Sequence, residues 1–141
     1  MNYKFQYSEP SLGDLLSKFE DEGKELYWCI SNLWVIEKRL EGVGTHELEC
    51  SVRDSKFGIL VQWDDLVELT QTYDSVINFS AIGFKDKKDI DSFITTGKFE
   101  VEKDEIYINI DDGSCRGIKA KDKKIVKKIN DSFGPFPFFV R

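Results

Sequence analysis

The chain has 141 residues, 40 % hydrophobic and 33 % charged, which suits one soluble domain with a core of its own rather than a disordered chain. No apolar run approaches the roughly 20 residues that cross a bilayer, and three scattered cysteines with one histidine form no metal-binding cluster, so a membrane span and a zinc site are both disfavoured. A net charge of −6 argues against nucleic acid as a direct ligand, because phosphate binding needs a positive footprint.

The opening Tyr3, Phe5 and Tyr7 alternate with polar residues, which predicts a strand, and Met1–Tyr7 has no apolar segment of the kind a secretory leader carries. Ser11 with Asp14 three residues later is a helix start, and Leu12, Leu15, Leu16 and Phe19 form one apolar stripe behind it. Gly23 is the expected stop. On that reading Glu20-Asp21-Glu22 sits in the last helical turn, where the helix dipole disfavours acids.

Residues 25–40 fit two patterns. Leu26, Ile30, Leu33 and Trp34 would share a helix face, but Tyr27–Ile30 and Leu33–Ile36 are β-rich runs separated by Ser31-Asn32. Two strands with a turn between them are preferred. Leu48, Cys50 and Val52 alternate with polar neighbours, and with the apolar run Phe57–Trp63 they predict a hairpin. A helix follows, capped by Asp64 or Asp65 and carrying Leu66, Val67 and Leu69. Residues 76–84 read as a strand. Asp86 and Asp89 stand at capping-box spacing before a short helix that ends near Thr96-Gly97.

Phe99 and Val101 suggest another strand, turned by Lys103–Glu105, and Ile106, Ile108 and Ile110 alternate strictly. Next comes Asn109–Gly117, "NIDDGSCRG", with two acids, a hydroxyl and a thiol close together. As a calcium loop it fails, because glycine is missing at position 6 and glutamate at position 12. As a nucleophile, Cys115 or Ser114 needs a base, and nothing brings His46 to it. As a hairpin turn at Asp112-Gly113 every residue is accounted for, with Cys115 opening the return strand. Asp122 then caps a last helix whose apolar face is Ile125, Val126, Ile129 and Phe133, and whose other face carries lysines. Phe136, Phe138 and Phe139, with Pro135 and Pro137, close the chain in an aromatic tail, expected to pack on the domain or on a partner.

No repeat or linker divides the chain, so one α+β domain spanning residues 1–141 is expected, with 134–141 as its tail. Its sheet should be largely antiparallel, of about six or seven strands, with three or four short helices. Residues 1–70 hold 14 acids and 7 bases, whereas residues 71–141 hold 12 and 13. The acidic half fits a basic protein partner. Glu20, Asp21, Glu22, Glu25, Glu47, Glu49, Asp64, Asp65 and Glu68 are its candidate contacts, with Trp63 beside the last group as an aromatic anchor.

The leading expectation is therefore a non-catalytic acidic binding protein. In its most concrete form it is an immunity or inhibitor protein that neutralises a basic, nuclease-like bacterial toxin in the cytoplasm, with no cofactor, no metal and no membrane contact. One alternative is an enzyme using His46, Asp111, Asp112 or Cys115 without a recognisable motif. The other is an oligomeric accessory protein, such as a homodimer, joined through the tail.

Overall fold

The computed structural model describes residues 11–37, 45–98, 103–111 and 115–133. The predicted strands at residues 3–7 and 99–101, the turn residues 112–114 and the tail 134–141 lie outside the described residues. The remainder is α+β, with six helices and one antiparallel sheet of five strands. Among the described residues the strands are thus fewer than the six or seven expected, and the helices more than the three or four.

In chain order the elements are α1 (Leu12–Ser17), α2 (Glu20–Gly23), β1 (Tyr27–Glu37), α3 (Thr45–Asp54), β2 (Ile59–Val61), α4 (Trp63–Thr72), β3 (Tyr73–Phe84), α5 (Lys87–Thr96), β4 (Asp104–Asp111), β5 (Cys115–Ala120) and α6 (Lys123–Phe133). The strands lie side by side as β2-β1-β3-β4-β5, and every neighbouring pair is antiparallel.

The two faces of the sheet are covered differently. Trp28, Ile30, Leu33 and Val35 of β1 join Phe79, Ala81, Ile106, Ile108, Ile110 and Ile118 on one face, which receives the apolar stripes of α1, α4 and α6 and Val52 of α3. The opposite face carries a smaller cluster of Cys29, Ile82 and Phe84, roofed by Ile90 of α5 with Phe93 and Ile94. Beyond α5 this second face turns polar. Asn32, Ser80, Asn109 and Gly117 line up across four strands, and the Ser80 hydroxyl donates to Asn109 Oδ1 at 2.7 Å.

Several local expectations are corrected. Ser31-Asn32 is no turn: β1 runs unbroken, and its register against β3 slips between Ile30 and Asn32. An extra residue in a strand reverses which side chains face inward from that point on. Trp28 and Ile30 before the slip therefore point the same way as Leu33 and Val35 after it, which is why two apolar runs out of phase serve one strand.

Residues 48–52 are helical rather than half of a hairpin. Leu48 and Val52 are four apart, a spacing that keeps them on one face in either conformation, and both pack on the main core. The strand expected over Phe57–Trp63 shortens to β2, and Trp63 already belongs to α4. The Ser11–Asp14 pair does form a capping box, with the Asp14 amide donating to Ser11 Oγ at 3.1 Å and the Ser11 amide to Asp14 Oδ2 at 3.3 Å. Asp86 stands at the N-cap of α5, but its side chain makes no capping bond. The first helix stops at Ser17, and the acids Glu20-Asp21-Glu22 form the first turn of α2, the end that the helix dipole favours for negative charge.

Candidate functional site

Most of the acidic candidates lie on or beside two elements, with Glu20, Asp21, Glu22 and Glu25 at α2 and Asp64, Asp65 and Glu68 on α4. Gly23 ends α2 directly against the six-membered ring of Trp63, the first residue of α4, so closely that a methyl group there would overlap the indole. The Gly23 carbonyl accepts the Trp28 indole N–H at 2.9 Å. Phe19, Trp28 and Trp63 pack their rings at centroid distances of 5.7 to 6.4 Å, forming an aromatic plug beneath both helices. Buried aromatic pairs of this kind add about 0.5–1.5 kcal/mol each beyond their area, so the plug is a firm base for the residues above it.

Asp21, Glu25, Asp64 and Glu68 are exposed. Several of the acids are committed within the molecule. Glu20 pairs with Lys24 at 3.3 Å, and Glu22 accepts Lys128 of α6 at 2.6 and 3.2 Å. The bond to Glu22 holds the Lys128 ammonium above its ordinary pKa. Asp65 accepts the Gln62 amide at 2.8 Å and so caps its own helix. Glu49 is half-buried on α3, and the side chains of Glu47 and His46 lie outside those described. Trp63 is 5 % exposed: its ring belongs to the core, and the acids around it make the surface.

The reactive groups of the enzyme alternative are dispersed over three elements. His46 is on α3, whereas Asp111 and Cys115 face each other in register at the far end of the β4–β5 pair. That register pairs β4 and β5 as neighbouring antiparallel strands. Cys29 is buried beneath α5, and burial pushes its thiol up to about 12. Among the described residues no group of three His, Cys, Asp or Glu side chains converges on a point.

One feature of this end of the molecule has no signal in the sequence. An open hollow of about 600 Å³ lies beside Trp63 at the β2 edge of the sheet, walled by Lys24, Tyr27, Leu60, Asp64 and Lys87. These residues come from three separate stretches, 24–27, 60–64 and 87, so no local pattern could announce them.

The fold defines the protein's class: an α+β domain on a five-stranded antiparallel sheet. No described helix is long and apolar enough to cross a membrane. Comparison with family models, with curated proteins and with solved structures finds no match.

Proposed function

We propose that the protein is a non-catalytic binding domain that docks a basic protein partner through the acidic surface formed by α2 and the start of α4. The observation that carries this reading is that the end of the acid-rich α2 packs on the start of the acid-rich α4. Glu20-Asp21-Glu22 and Asp64-Asp65 both sit in first turns, and Gly23 and Trp63 bring the two helices into contact. Asp21, Glu25 and Asp64 are exposed on the stretches of chain that flank the close-packed Gly23 and Trp63. Carboxylates so placed attract a cationic partner over distance. In the most concrete version the partner is a nuclease-like bacterial toxin, and the carboxylates occupy the positions where its cleft holds phosphates.

The test is affinity purification from the source cell with the wild-type chain and with the triple variant Asp21→Lys, Glu25→Lys, Asp64→Lys. The wild type is expected to retain a protein of strongly basic pI. The variant should lose it, and so should the wild type at about 0.5 M salt, where the Debye length falls to a few ångströms. Coexpression with the wild type, and not with the variant, should then relieve the toxicity of the captured protein. A partner held equally by both proteins would remove this surface from the reading, and a partner without toxicity would remove the toxin version.

A further inference from the structure

We infer that the hollow at the β2 edge is a binding site for a small amphipathic carboxylate. This goes beyond the protein-binding reading and stands whether or not α2 docks a partner.

Three independent features of the hollow point to that chemistry. The first is apolar surface. Among the described residues three large hydrophobic side chains are strongly exposed, and two of them, Tyr27 at 41 % and Leu60 at 48 %, are walls of this one cavity. Both stand on the same face of the sheet, since Leu60 is opposite Cys29 in register and Tyr27 is two residues before it. Leu26 and Val61 extend the apolar lining. Isolated apolar residues on a surface need no explanation, but two that converge on a cavity offer a ligand an apolar bed.

The second feature is charge. The protein carries −6 overall, yet the cavity is lined by Lys24 and Lys87 against the single carboxylate of Asp64. Lys24 is paired with Glu20 only at the surface, where such a bond is weak and readily exchanged for a ligand. A basic ligand would meet two ammonium groups here, and a neutral one would leave them unused. The third feature is the Trp63 indole. Its Nε1–H is buried without an acceptor, the one buried side-chain polar atom among the described residues left so. The ring edge opposite Nε1 is the one held against Gly23, and Trp63 is among the residues that line the cavity. A buried donor without an acceptor is costly, and an anionic oxygen bound in this hollow is the partner it lacks. An apolar body on Tyr27 and Leu60, with a carboxylate between the ammonium groups and the indole, satisfies all three features at once. A volume of about 600 Å³ is ample for a molecule of that kind.

Octanoate and its neutral counterpart octanamide are the probes, titrated into the isotope-labelled full chain and followed by NMR. Octanoate is expected to give saturable shifts at Tyr27 and Leu60, and to move the Trp63 indole N–H resonance downfield. The Trp28 indole, already bonded to the Gly23 carbonyl, serves as the unmoved control. Octanoate should bind at least about tenfold more tightly than octanamide, the worth of one added charge-assisted contact. The double variant Lys24→Gln, Lys87→Gln changes only exposed side chains and should abolish that preference. Shifts that do not saturate, shifts centred away from the hollow, equal affinity for the two probes, or a preference that survives the double variant would each overturn the proposal.

Discussion

Asp104 and Lys119 form the most enclosed ion pair among those described, with Nζ 3.1 Å from each carboxylate oxygen and Asp104 only 1 % exposed. The two partners are not equivalent. Lys119 has a long stem that can carry its ammonium toward water, whereas Asp104 is held in the sheet opposite Phe84. Lys119→Met should therefore destabilise by about 3 kcal/mol, because it leaves a carboxylate buried without its cation. Asp104→Asn should cost clearly less. Urea unfolding of the two variants checks the order, and a larger loss for Asp104→Asn would reverse it.

The thiols divide in the same way. A group pushed up to about 12 is protonated at pH 8, and only the thiolate attacks. Cys29 should resist iodoacetamide at pH 8 and pH 9 while the fold persists, whereas the half-buried Cys50 should label. Peptide mass spectrometry reads both sites, and rapid labelling of Cys29 in the folded chain would contradict its burial.

At the level of elements, a glycine sets one of the joints. Gly97 ends α5 with φ +71°, in the left-handed region, and its open side faces the Phe57 ring. Gly97→Ala should cost at least about 1–2 kcal/mol from backbone conformation, with the displacement of Phe57 in addition. The measurement is the shift in urea midpoint at unchanged m-value, and an unshifted midpoint would show that the joint tolerates a side chain.

The helix starts show how much of an element can be read locally. The Ser11 box and the cap on α6, where the Lys124 amide donates to Asp122 Oδ1 at 2.9 Å, depend on residues three or fewer positions apart and were legible in the sequence. The bulge in β1 was not, because it exists only against the register of β3. Nor was the helicity of residues 45–54, since an i, i+4 apolar pair is common to strands and helices and its packing on β1 decides between them. Trp34 shows what the register decides, because it stands between the buried Leu33 and Val35 yet is 54 % exposed on the polar side of the sheet.

At the scale of the whole molecule, the acidic first half and the lysine-rich last helix of the sequence meet in space, with Lys128 bonded to Glu22. That bond does not hold the helix in place. Ile125 and Ile129 are buried in the main core, while the Glu22–Lys128 pair is partly open to solvent. Ile129→Ala should cost about 2–4 kcal/mol, as buried large-to-small changes do, and Glu22→Gln no more than about 1 kcal/mol. Denaturant unfolding of the two variants decides it, and the opposite order would mean that charge, not packing, docks α6. By itself the sequence determined the α+β class, the antiparallel habit, the apolar faces of the helices and the acidity, because each follows from the period and identity of near neighbours. Only the tertiary structure decided which acids remain exposed, which are bonded to lysines, and which residues wall the hollow beside Trp63. Those facts depend on strand register and helix docking, which join residues far apart in the chain and leave no periodic trace along it.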